Sequence, residues 1–104
     1  LDKENIKGIV EVELEKLLER MKGLGYSLYL TDKAKEFIAE KGYDKQYGAR
    51  PLKRTIQRYI EDEIAEKIVL SEVRKGDTIS VDYTDNEEKL TFLVSNIKSI
   101  PVEE

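Results

Sequence analysis

A chain of 104 residues with neither histidine nor cysteine cannot form a disulfide, activate a thiolate, build a zinc site of the usual kind, or run an acid–base scheme that needs an imidazole. With 39% hydrophobic and 38% charged residues, it has the composition of one soluble folded domain, too apolar to be disordered. A net charge of −4 opposes general attraction to nucleic acid or to an anionic membrane.

The first element is helical. Between Asp2 and Met21, the residues Ile6, Ile9, Val10, Leu14, Leu17, Leu18 and Met21 recur at three- and four-residue steps and make one apolar stripe on a charged helix. Gly23 and Gly25 close it. From Tyr26 to Leu30 the pattern alternates, with Tyr26, Leu28 and Leu30 on one face and Ser27 and Tyr29 on the other, as in a short strand. Thr31 then caps a short helix with Asp32 at its positive end, a buried face of Ala34, Phe37 and Ile38, and Gly42 as its stop. After the loop from Tyr43 to Ala49, Pro51 opens a long helix with the stripe Leu52, Ile56, Tyr59, Ile60, Ile64 and Ile68, ending near Leu70. Lys75-Gly76-Asp77 reads as a turn, and Ile79, Val81 and Tyr83 alternate through a second strand. A polar loop from Thr84 to Glu88 and the alternation Leu90, Phe92, Val94 complete a β-hairpin. The fold class expected is therefore α+β, three helices packed with a small three-stranded sheet. One domain spans residues 1–94, and 95–104 is read as a C-terminal tail without a clear partner.

No apolar run reaches the twenty or so residues that span a bilayer, and no basic-then-hydrophobic leader is present, so the expected location is cytoplasmic. The chain begins at Leu1, already inside a helical pattern, and a longer polypeptide is expected to precede it. A general acid or base would have to be Asp, Glu, Lys or Tyr, and none sits in an apolar setting that would move its pKa far. No catalytic residue and no metal ligand is assigned.

Charge is organised in one place. Between Lys41 and Arg58 stand six basic residues, Lys41, Lys45, Arg50, Lys53, Arg54 and Arg58, against the single acid Asp44, while Glu61, Asp62, Glu63 and Glu66 follow directly. The basic cluster coincides with the start of the long helix, where unpaired N–H groups and the macrodipole favour an anion. Pro51 disfavours helical geometry in the residue before it, which sets Arg50 at the junction, where its guanidinium can reach a phosphate in bidentate fashion. Gly48 and Ala49 keep side-chain bulk low beside it. The competing reading is that Gly48 allows a turn, Pro51 starts a helix, and Arg50 pairs with a surface carboxylate.

The stretch Gly42-Tyr43-Asp44-Lys45-Gln46-Tyr47-Gly48-Ala49-Arg50-Pro51-Leu52-Lys53-Arg54 closely resembles the sensor 2 segment in the second ATPase module of the ClpB, ClpC and ClpA-like unfoldases. The lead-in Leu30-Thr31-Asp32-Lys33-Ala34 agrees with that family, Gln57 to Asp62 looks most like ClpC, and Glu72 to Tyr83 resembles its closing strands. Lys45 stands where many relatives carry proline. The resemblance covers about residues 1–94 and implies the C-terminal small, lid subdomain of an AAA+ module. It implies that Arg50 is the sensor 2 arginine facing the γ-phosphate of ATP, that Ala49 lies near the base, and that Lys53 and Arg54 make secondary phosphate or interface contacts. It also implies partners: the large AAA+ subdomain of the same chain, which holds ATP with magnesium; neighbouring subunits of a homohexamer; unfolded protein substrates; and a ClpP-type peptidase docked through parts outside this segment. The sequence contains no Walker A loop, no Walker B strand and no pore loop, so the expected role is noncatalytic nucleotide sensing and oligomerisation within an ATPase.

Two other readings compete. A free-standing anion- or nucleic-acid-binding module would use Lys53, Arg54 and Arg58 on phosphates, with Tyr47 and Tyr59 as the available aromatics. A protein-interaction piece would present Tyr26, Tyr29 and the hairpin as an adhesive patch.

Overall fold

The computed structural model describes residues 3 to 96. In chain order the elements are α1 (Lys3–Leu24), β1 (Ser27–Leu30), α2 (Asp32–Lys41), α3 (Leu52–Ile56), a π-helical turn (Gln57–Glu61), α4 (Asp62–Val69), β2 (Asp77–Asp82) and β3 (Thr91–Asn96). Taken together, α3, the π turn and α4 form one helical rod, so the expected α+β arrangement of three helices and three strands holds.

Local chemistry explains most boundaries. Gly25, at φ +102°, turns the chain out of α1, a left-handed conformation that side-chain-bearing residues disfavour. Thr31 caps α2 as expected, its hydroxyl oxygen accepting from the Ala34 N–H at 3.2 Å. Gly42 also ends α2 as expected, but at φ −92°. Its need for glycine is spatial: a Cβ there would stand 2.7 Å from Leu52 Cδ1 and 3.0 Å from the Ile38 carbonyl oxygen.

The rod corrects the reading of one uninterrupted α-helix from Pro51. Pro51 occupies the cap position, with α3 starting at Leu52, and the Asp62 N–H reaches back five residues to the Gln57 carbonyl. The sequence explains why. Its stripe of Leu52, Ile56, Ile60, Ile64 and Ile68 repeats strictly every four residues, whereas an α-helix of 3.6 residues per turn advances about 40° beyond a full turn in each such step. Over four steps the stripe would wind to the far side of the helix. One widened turn takes back much of that drift, and Leu52, Ile56, Ile60 and Ile64 are all buried.

The sheet order is β1-β2-β3, with β1 parallel to β2 and β2 antiparallel to β3. The register aligns two inward rows, Leu28–Ile79–Val94 and Leu30–Val81–Phe92. These face a core in which Val10, Leu17, Ile38, Ile60, Ile64, Ile79 and Val81 are fully buried. Phe37 joins helices to hairpin, stacked on Tyr83 at 4.6 Å and meeting Tyr59 edge-on at 5.2 Å. Tyr26 is buried, so it is absent from any adhesive surface. Ser95 and Asn96, expected in the tail, belong to β3, and the rest of that expected tail, 97–104, lies outside the described residues.

Candidate functional site: a basic loop-to-helix junction

The loop between α2 and α3 is built on its own backbone. The Asp44 carboxylate accepts the N–H groups of Gln46 and Tyr47, both at 2.9 Å. Asp44 and Gly48 then form a small antiparallel bridge, with Asp44 N–H donating to Gly48 O at 2.8 Å and Gly48 N–H donating to Asp44 O at 2.6 Å. Gly48 closes this bridge at φ +66°, in the left-handed region. Arg50 N–H donates to Tyr47 O at 3.2 Å and Leu52 N–H to Ala49 O at 3.0 Å, so the path of residues 47–52 is fixed.

The base of the loop is anchored to the core. Leu52 is buried against Gly42, and the Thr55 hydroxyl, itself buried, donates toward the carbonyls of Pro51 at 2.9 Å and Lys41 at 3.3 Å. This ties the start of α3 to the end of α2.

On this scaffold Arg50 is exposed, outside the helical rod as expected, and its guanidinium carbon lies 5.8 Å from the Tyr47 ring centroid. Ala49 is half-buried beside it, while Lys53 and Arg54 are exposed on the first turn of α3. Among the described residues, no ion pair involves Lys45, Arg50, Lys53, Arg54 or Arg58. Among the described residues, then, Arg50 does not pair with a surface carboxylate, as the competing reading had it. The predicted cluster loses one member: Lys41 turns away to Glu88, at 3.5 Å, and lies 5.6 Å from the Phe37 ring. Arg58 stands over Tyr59 at 5.4 Å, past the junction and on the π turn.

Sequence reasoning missed the parts played by Asp44 and Tyr47. An aspartate followed by two free N–H groups and a glycine four residues on was the available signal for a self-closed loop. The junction is an open surface. A groove of about 1100 Å³ runs between α1, α2 and the hairpin loop, but Ala49, Arg50, Lys53 and Arg54 do not line it. No group of three or more Asp or Glu side chains among the described residues is placed to hold a metal ion. The arrangement can therefore present permanent positive charge to an anion whose remaining contacts come from elsewhere. Among the described residues no helix is long and apolar enough to cross a membrane.

Comparison with known proteins shows the family. Residues 1–81 match the family described as the C-terminal, D2-small domain of ClpB protein. The chain is 45% identical over 92 residues to chaperone protein ClpB 2 of Synechocystis, an alignment covering 88% of this chain and 10% of that protein. It is 42% identical over 93 residues to chloroplastic chaperone protein ClpC2 of Oryza sativa, covering 89% of this chain and 10% of that protein. It is 41% identical over 93 residues to a chloroplastic ClpA homolog of Brassica napus, named as the ATP-binding subunit of an ATP-dependent Clp protease, with the same 89% and 10% coverage. These identities lie too close together to single out ClpC, and the chain spans about a tenth of the length of these relatives. With its α+β fold and its Gly-Ala-Arg-Pro junction, the chain belongs to the C-terminal D2-small domain family of the Clp chaperone ATPases.

Proposed function

We propose that this domain is the noncatalytic nucleotide-sensing and oligomerisation domain of a Clp-type, ATP-dependent protein unfoldase, with Arg50 as its sensor. The observation that carries the reading is an exposed guanidinium that, among the described residues, has no carboxylate partner, on a loop whose backbone is closed by its own hydrogen bonds. An arginine held this way meets a terminal phosphate with little ordering cost and keeps its charge at every physiological pH. Ala49 leaves room for the nucleotide beside it, and Lys53 and Arg54 extend the positive field toward secondary phosphate or interface contacts. ATP and its magnesium would be held mainly by the large AAA+ subdomain of the same polypeptide. Loss of the γ-phosphate would release Arg50 and let the small domain move relative to that core, which passes hydrolysis on as motion between neighbouring subunits of a hexamer. Such a machine would act on unfolded proteins in the cytoplasm, and any peptidase of the ClpP type would dock through other parts of it.

A nucleic-acid module is disfavoured by the aromatics. Tyr59 is half-buried, packed edge-on against Phe37 at the border of the core, leaving Tyr47 as the exposed ring within the basic run.

The test is Arg50→Ala in the full-length parent. ATP affinity or turnover should fall at least about tenfold, which corresponds to about 1.4 kcal/mol or more, while the circular dichroism and melting of the isolated domain stay unchanged. Unaltered nucleotide affinity and turnover would remove the sensor role.

A further inference from the structure

The outer face of the sheet is unlike the rest of the surface. In a chain with 38% charged residues, the register places Ser27, Tyr29, Thr78, Ser80, Asp82, Thr91, Leu93 and Ser95 on this face, and seven of these eight carry no charge. The exception, Asp82, is already engaged by the Thr31 hydroxyl at 2.6 Å and the Tyr83 N–H at 2.7 Å. One row runs Tyr29–Ser80–Leu93, with Tyr29 60% and Leu93 69% exposed.

The edge at β3 is a second and independent feature. This strand is terminal in the sheet, pairs with β2 on one side, and among the described residues has no strand on the other. From Leu90 to Asn96 the sequence has no charge, proline or glycine. Exposed edges are ordinarily protected by such residues, and a β-prone edge without them is a template for another strand. Its inner side chains, Phe92 and Val94, pack against the core, with Lys67 lying 5.7 Å from the Phe92 ring. The strand is thus held in place while, among the described residues, no strand pairs with its outer edge.

We infer that β3 pairs antiparallel with β3 of a second copy of this chain, joining two sheets into one of six strands. An uncharged edge is matched by another uncharged edge, and an antiparallel strand pair is self-complementary about a two-fold axis. Of the registers that keep inner and outer faces aligned, the one centred on the uncharged run 90–96 sets Leu93 opposite its counterpart, with Thr91 opposite Ser95 on the same face. The edge is six residues, about 20 Å, so the contact lies below the roughly 1,200 Å² of a stable dimer and is weak and concentration-dependent. Being two-fold, it is not the head-to-tail contact of a ring, and it stands or falls independently of the proposed sensor role.

The test is sedimentation of the 104-residue chain up to about 1 mM, a range that reaches weak dimers. Association should appear and weaken at least tenfold in Leu93→Lys and in Leu93→Glu, each of which sets like charges opposite each other at an exposed site. An equimolar mixture of the two variants should associate again. Tyr29→Lys lies two strands away, about 10 Å, and should associate as the parent does. A monomer at every concentration, association indifferent to charge at Leu93, or equal loss in Tyr29→Lys, which signals stacking of whole faces, would each overturn the pairing. Circular dichroism of every variant confirms that loss of association is not loss of fold.

Discussion

At the seam between α2 and the hairpin, cations face carboxylates: Lys33 lies 3.6 Å from Asp85 and Lys41 3.5 Å from Glu88. At the junction one loop away, Arg50, Lys53 and Arg54 have no such partner among the described residues. The pairs at the seam are solvent-exposed, so each is worth about 0–1 kcal/mol and serves chiefly to neutralise local charge. The junction keeps its charge and holds its shape by other means: the Asp44 carboxylate on two backbone N–H groups, the Asp44–Gly48 bridge and the buried Leu52. Where the scaffold does not depend on the cations, the cations are free for an anion from outside.

Leu52→Ala tests the scaffold most severely. It opens a cavity under the loop where Leu52 meets Gly42, and stability should fall by about 2–5 kcal/mol in chemical denaturation. Gly48→Ala should cost about 1–2 kcal/mol, because the left-handed backbone there penalises a Cβ although nothing crowds it. Arg50→Ala, by contrast, should stay within about 0.5 kcal/mol of the parent, since only an exposed side chain is lost. A large loss of stability in that variant would erase the distinction between scaffold and charge.

The smallest effect belongs to the seam and depends on pH. The Asp82 carboxyl is held below its ordinary value of 3.8, first by the Thr31 hydroxyl, then by the Tyr83 N–H and the charge of Lys33, with desolvation opposing. A carboxylate with a depressed folded-state pKa adds stability that is present above its unfolded value and lost as pH falls through the folded one. The melting difference between the parent and Asp82→Asn should therefore be constant from neutral pH to about pH 5 and shrink below about pH 4. A difference that persists undiminished at lower pH would assign the contribution to hydrogen bonding alone.

Some features could be read residue by residue because their causes are local. Thr31 caps α2, Tyr26, Leu28 and Leu30 share a buried face, and Pro51 leaves Arg50 outside the rod. The π turn was present in the sequence as a strict four-residue spacing, but a stripe of that kind reads as α-helix unless its angular drift is followed over several turns. The adhesive patch was half right in its residues: Tyr29 is exposed, while Tyr26 belongs to the same alternation that buries Leu28 and Leu30.

The sequence by itself determined the α+β class, the apolar faces, and a basic junction between a short helical signal and a long one, since these follow from periodicity, turn chemistry and charge over a few neighbouring residues. Only the tertiary structure decided that β1 lies parallel beside β2, because Leu28 and Ile79 are some fifty residues apart and no local rule pairs them. It also decided which cations are spent. Lys41 and Arg50 look alike in a charge run, but one is packed beside the hairpin that carries Glu88, and the other stands on a loop where, among the described residues, no carboxylate pairs with its guanidinium.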